Sequence, residues 1–176
     1  EKNGCTSSTV EFYGASQRVT VPTVGIHNVY DALAAFAVGY EMRMEPRKIA
    51  AGLKSFVPSG MRQRIKKVGG ITVIEDCYNA SPDSQKAALD VLSSFKSNRR
   101  IAVLGDMLEL GKYSDISHEN VGKYTENKNI DILFTYGAKA KHIAEGAKGF
   151  VDESDNDRYH RITDRHFPVL PVRRTS

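Results

Sequence analysis

From Ile71 onward the chain changes between two hydrophobic periods, and that alternation limits the fold more than any other feature. "ITVIE" is a run rich in β-branched residues that reads as a buried strand. A helical pattern follows from Pro82 to Phe95, with Ala88, Val91, Leu92 and Phe95 on one face. "RIAVLGDM" is a second strand, Ser117–Thr125 a helix, "DILFTYG" a third strand and "AKAKHIAEGAKGF" a third helix. Strands separated by helices of this length imply a parallel sheet with right-handed crossovers, an α/β class of Rossmann-like form. The first strand lacks a following GxGxxG, so the dinucleotide fingerprint is absent. From Asp152 the pattern fades into a polar stretch with Pro168 and Pro171 beyond it. That tail is expected to be loosely ordered rather than a further βα unit.

Upstream, "STVEFYG" and "QRVTVPTVG" read as alternating strands of a hairpin joined through "GAS". "HNVYDALAAFAVGYEM" is an alanine-rich helix whose small side chains allow close packing. "EPRKIAAGLKSF" is a second helix, with Pro46 at its start and Ile49, Leu53 and Phe56 at helical spacing. "VPSG" breaks the pattern, which places a domain boundary near Pro58–Gly60 and divides the chain into 1–60, 61–150 and a divergent tail, 151–176.

Composition narrows the function classes. The 176 residues carry 25 Lys and Arg against 21 Asp and Glu, a net +4, and the basic residues are dispersed apart from Arg62, Arg64, Lys66 and Lys67. Such a balance points to a small anionic ligand rather than to nucleic acid. Cys5 and Cys77 are far apart, which suggests neither a zinc site nor a disulfide framework and fits a reducing cytoplasm. No apolar run reaches the length of a membrane span, and the amino end has no signal-peptide character. The chain begins without methionine, as a fragment can.

Four polar clusters interrupt the pattern. In "GIHNVYD", Asn28 beside His27 could hydrogen-bond a purine edge, because an amide offers both donor and acceptor; the alternative is a helix cap. In "GMRQR", Arg62 could clamp a phosphate or be a solvated charge. In "ITVIEDCYNASPDS" the strand ends in carboxylates, and ligands of open α/β sheets bind beyond strand carboxyl ends. Asp76 there could accept ribose hydroxyls or a magnesium-bound water. The alternative for the same stretch is a capped helix, with Ser81 at the N-cap and Pro82 at the first position. In "GDMLELGKYSDISHENVG", Asp106 ends a strand, and His118 is a base, a substrate contact or a structural histidine. No GxxxxGK[ST] and no HExxH occur.

The order and spelling of these stretches carry a resemblance. "GIHNVYDALAAFAVG", "GMRQRIKKVGGITVIEDCYNASPDSQKAAL", "RIAVLGDMLELGKYSDISHENVG" and "DILFTYGAKAKHIAEGA" closely resemble, in that order, the later half of the bacterial Mur ligases, over roughly Val21–Phe150. "DCYNASP" and "LGDMLELG" are most similar to the members that add D-alanyl-D-alanine. The resemblance implies an ATP- and magnesium-dependent ligase of peptidoglycan synthesis in the cytoplasm. In such an enzyme the carboxylate of a UDP-N-acetylmuramoyl tripeptide is phosphorylated, and the amine of D-alanyl-D-alanine attacks the acyl phosphate. It further implies that residues 1–60 end a central ATP-binding domain and that 61–150 form the carboxyl-terminal Rossmann-like domain. His27, Asn28 and the Asp31 position would then face adenine, Arg62 the phosphates and Asp76 the ribose, with Tyr78, Asn79, Ser81 and His118 near the peptide substrate. No residue is singled out as catalytic and none as a metal ligand.

The sequence departs from the family pattern in several places. Asp31 stands where a second adenine-facing asparagine is usual, and a carboxylate cannot donate an amide hydrogen bond. Ser81 replaces an asparagine, and the late "KGSR" strand and turn are absent after Gly149. The amino-terminal domain, the P-loop, the magnesium ligands and the modified-lysine segment are also missing. The expectation is a piece of a ligase that is inactive and poorly soluble alone; the alternatives are a stand-alone nucleotide- or peptide-binding module and a purely structural interaction domain.

Overall fold

The first hairpin is built on simple alternation. In the computed structural model, which describes residues 4–58, 60–97, 99–148 and 159–162, β1 (Thr6–Phe12) and β2 (Ala15–Val21) pair antiparallel with Phe12 opposite Ala15. The turn is therefore Tyr13–Gly14, both at positive φ, which matches the twist of the flanking strands; Ala15 and Ser16 of the expected "GAS" link belong to β2. Val10 and Val19 point inward and meet Phe36 of α1 (Ile26–Glu41) and Ile49 of α2 (Pro46–Lys54) in a buried cluster. Gly39 makes the helix pair close: a Cβ there would lie 3.1 Å from Ile49 Cγ1. Phe56 departs from the expected α2 face. The helix ends at Lys54, Ser55 Oγ donates to the Gly52 carbonyl at 2.9 Å, and Phe56 is left exposed beyond it. The outer face of α1 carries exposed Ile26, Tyr30, Leu33 and Val38.

The stretch read as a buried parallel strand is corrected in two respects. β4 (Ile71–Glu75) has the expected limits, but it pairs antiparallel with β3 (Arg64–Val68) in a two-stranded sheet, and Ile71 and Val73 are 64% and 36% exposed. The reason is local. Val68 and Ile71 face each other across Gly69–Gly70, whose φ of 54° and 81° suit a two-residue hairpin turn, so β4 finds its partner without a crossover. β-branched residues specify an extended backbone and leave burial to the partner surface.

The remaining elements are α3 (Pro82–Ser94), β5 (Ile101–Gly105), α4 (Ser114–Tyr124), β6 (Ile132–Tyr136), α5 (Lys141–Lys148) and β7 (Tyr159–Ile162). β5, β6 and β7 form a parallel sheet in that order, with Ile101 opposite Ile132 and Leu133 opposite Tyr159. This confirms the small parallel-sheet α/β fold. It also corrects the expectation of a patternless tail, because Tyr159–Ile162 is a third parallel strand; the flanking residues 151–158 and 163–176 lie outside the described residues. Ala102 and Leu104 of β5 and Leu133 and Thr135 of β6 are buried on one face. α4 and α5 cross in contact: a Cβ on Gly122 would overlap the Ile143 carbonyl, and one on Gly146 the Glu119 carbonyl.

The chain divides into two compact units. One takes in residues up to Asn79 with Asp90–Phe95, the other Ala80–Leu89 with the residues from Lys96 on. α3 is thus shared between units. Its most buried apolar side chains are Leu89 and Val91, which stand two residues apart and so point to different sides of the helix; Leu89 is buried outside the face expected from Ala88, Val91, Leu92 and Phe95.

Candidate functional site

Within the first unit the structure gathers residues from three separate stretches. Gly25, at φ 108°, precedes α1 and sets His27 and Asn28 in its first turn. Asn28 does not cap the helix with its side chain. Nδ2 donates to the Val24 carbonyl at 2.9 Å and to Gln63 Oε1 at 2.7 Å, and lies 2.9 Å from His27 Nε2. Gln63 Nε2 in turn donates to the same Val24 carbonyl at 2.5 Å, and the Gln63 backbone N–H donates to Asp76 Oδ1 at 3.1 Å. One hydrogen-bonded network therefore joins His27 and Asn28 to Asp76 through Gln63.

Gln63 is the residue that the sequence did not single out. It sits in the basic run "GMRQR", yet it is 9% exposed and has φ 46°, in the left-handed region rarely used by side-chain-bearing residues. The only sequence signal is an uncharged amide among cations. Gln63 also forms part of the wall of a cleft of about 1060 Å³, with Thr23, Met61, Arg64, Lys66 and Phe95 among its other lining residues. Lys66 is paired across the hairpin with Glu75 at 2.7 Å.

Arg62 and Tyr78 lie on either side of this hairpin. The guanidinium carbon is 4.4 Å from the Tyr78 ring centroid, a cation–π contact on an exposed ring. The Cys77 N–H donates to the Met61 carbonyl at 3.0 Å, which continues the pairing past Gln63 and fixes Asp76 opposite it. Asp31 is exposed one turn further along α1, and Asn79 is exposed in the loop after β4.

In the second unit the remaining candidates have structural partners. The Ser84 N–H donates to Ser81 Oγ at 3.2 Å and the Ser81 N–H to Ser84 Oγ at 2.9 Å, a reciprocal cap at the start of α3. His118 is fully buried: the Met107 N–H donates to Nε2 at 2.9 Å, so that nitrogen carries a lone pair, and Nδ1 donates to the Ser114 carbonyl at 2.7 Å. Both ring nitrogens are thus engaged by backbone. Asp106 Oδ1 accepts from the Lys139 and Ala140 N–H groups at 2.9 and 2.6 Å and holds the turn into α5. On the surface Asp115 is kept below its ordinary value of 3.8, chiefly by the hydrogen bond from Lys139, against an opposing desolvation and with help from the charges of Lys139, His142 and Lys141. Among the described residues no three His, Cys, Asp or Glu side chains come together as a metal site, and no helix is long and apolar enough to cross a membrane.

Residues 61–167 match the family described as Mur ligase, glutamate ligase domain, which is more than half of the chain. The chain belongs to the Mur ligase family. Among Mur ligase relatives, the UDP-N-acetylmuramoyl-tripeptide--D-alanyl-D-alanine ligase of Bacillus subtilis is 38% identical over 154 residues, covering 86% of this chain and 33% of that protein. The chain spans about a third of the length of such relatives, matching their later part. Crystal structure I of MurF from Acinetobacter baumannii superposes with a TM-score of 0.79 at 26% identity, over 90% of this chain and 33% of that one. MurF ligase from Thermotoga maritima, solved in complex with ADP, shares the fold with a TM-score of 0.71 at 19% identity, over 92% of this chain and 40% of that one.

Proposed function

We propose that this chain is part of an ATP-dependent ligase that adds D-alanyl-D-alanine to a UDP-N-acetylmuramoyl tripeptide in cytoplasmic peptidoglycan synthesis, and that it supplies one wall of the ATP site without turning ATP over alone. The observation that carries the reading is the network joining His27 and Asn28 to Asp76 across position 60. In this reading residues 1–60 close a central ATP-binding domain, and the Rossmann-like ligase domain begins at 61 and takes in β7 beyond the expected limit of 150. The chemistry of the donors fits a nucleotide. Asn28 and the Val24 carbonyl offer the donor and acceptor that a purine edge needs, exposed Asp76 suits ribose hydroxyls, and Arg62 suits phosphate oxygens. ATP would supply the phosphoryl group that converts the tripeptide carboxylate into a reactive acyl phosphate. Asp31, Tyr78, Asn79, Ser81 and His118 remain assigned to nucleotide or peptide contacts by resemblance alone, and the backbone partners of His118 favour a structural role for it. Among the described residues no cluster of three His, Cys, Asp or Glu side chains offers magnesium a ligand set.

A second reading, a stand-alone nucleotide-binding module, is favoured by one fact: the network and the cleft lie within the first unit alone. Calorimetric titration of ATP with magnesium into the native chain and an Asn28→Ala/Asp76→Ala variant tests both. Binding lost in the variant with no ATP hydrolysis is the expected result. Binding that survives the double substitution removes the site. ATP turnover by the native chain, abolished by Asp76→Ala, refutes the claim that the chain is inactive alone.

A further inference from the structure

The Asn28 amide has two hydrogens and three acceptors around it: the Val24 carbonyl at 2.9 Å, Gln63 Oε1 at 2.7 Å and His27 Nε2 at 2.9 Å. While Gln63 stays in place, no hydrogen of this amide remains for a ligand. Gln63 takes the two partners a ligand would need. Its Oε1 accepts from Asn28 while its Nε2 donates to the Val24 carbonyl at 2.5 Å. An acceptor beside a donor on one planar group is the pattern shown by a nucleobase edge that bears an exocyclic amine next to a ring nitrogen, as in adenine. The glutamine is also held in place. Its backbone N–H is bonded to Asp76 Oδ1, and its φ of 46° belongs to a conformation that tertiary contacts must enforce. Beside it lies the cleft of about 1060 Å³ into which a released side chain can swing.

We propose that the Gln63 carboxamide is an internal occupant of the base subsite, matching the hydrogen-bond pattern of an aminated nucleobase and held on Asn28 and Val24 until the base displaces it. The inference rests on the nucleotide reading above and adds a regulator to that site. Apparent base affinity is then reduced by the fraction of molecules in which Gln63 is out, and removing the amide lifts that reduction. Two neutral hydrogen bonds must be exchanged for each base bound, so their loss is worth roughly ten- to thirtyfold in affinity. The bond to Asp76 Oδ1 is donated by the Gln63 backbone N–H and does not depend on the side chain at position 63.

The test uses adenosine, which isolates the base from phosphate contacts, titrated into the full chain and followed by NMR shifts and calorimetry. Gln63→Met keeps the volume and removes both polar partners; Gln63→Ser is a second route to the same loss, and thermal melts report whether each variant folds. Adenosine binding at least tenfold tighter in Gln63→Met than in the native chain, with the gain erased by adding Asn28→Ala, is the expected result. Equal or weaker binding in folded Gln63→Met or Gln63→Ser overturns the proposal. If the native chain then still binds adenosine in an Asn28-dependent way, the base site stands and only the internal occupant falls. If no form binds adenosine, the nucleotide reading falls with it.

Discussion

Replacing His118 separates a structural imidazole from one that acts on a substrate. The ring is fully buried between the Met107 N–H and the Ser114 carbonyl. His118→Ala removes well-packed ring atoms, a loss of about 2 kcal/mol for a side chain of this size, and leaves the Met107 N–H without an acceptor where water cannot reach it, a further ~2 kcal/mol. The Ser114 carbonyl loses less, since it also lies in the first turn of α4, where the helix offers it a backbone donor. The sum is about 4 kcal/mol, or roughly 2 M in the urea midpoint for a domain of ordinary size. His118→Gln should recover about 1–2 kcal/mol of this, because its Oε1 can reach the Met107 N–H in place of Nε2. Urea unfolding followed by circular dichroism, with hydrogen exchange at the Met107 amide, reads both effects. A His118→Ala protein within about 0.5 kcal/mol of native, or a His118→Gln variant no better than alanine, would falsify the structural assignment.

Other perturbations test separate parts of the fold. Asp106→Ala orphans the N–H groups of Lys139 and of fully buried Ala140, and should cost about 2–3 kcal/mol by urea midpoint with faster exchange at both amides; Asp106→Asn should cost about half. Gly122→Ala would place a methyl group on the Ile143 carbonyl, and a loss of about 2 kcal/mol in thermal melts is expected despite alanine's better helix propensity. Because its folded-state pKa is depressed, Asp115 contributes stability that is fully present above its ordinary 3.8 and is lost as pH falls through the lower folded value. Lys139→Met should therefore lower stability slightly near neutrality while leaving it unchanged in strong acid, so that the acid limb of the profile flattens at low salt; an acid limb as steep as native would count against the ion pair.

The elements that sequence reveals here are those whose partners are near in the chain or whose pattern is self-contained. Both hairpin strands of the first sheet, α1, α2, β5 and β6 follow from period and breaker residues alone. β3 was hidden because Arg64, Lys66 and Lys67 read as a charge cluster, although "VGGI" is a strong turn signal between Val68 and Ile71. Missing β3 is what made β4 look like a buried strand. β7 was hidden for another reason, since four extended residues inside a polar stretch give too short a pattern to stand out. In the candidate site, Asn28 and Asp76 were legible as amide and carboxylate at element ends. Gln63 was not. Its importance comes from burial and from a left-handed backbone angle, neither of which residue type encodes.

The contrast between the two kinds of strand pairing sets an order of events for the folding chain. β1 meets β2, and β3 meets β4, across turns of adjacent residues, so these ribbons can close on the microsecond scale of hairpins. β5 cannot meet β6 until the whole of α4 has been placed between them, and β6 cannot meet β7 before α5. Loop closure over such separations must be met before any contact rewards it, which makes the parallel sheet the slow step. On a ribosome the same geometry means that the Asn28–Gln63–Asp76 network can assemble while the parallel sheet is still waiting for its last strand to be synthesised.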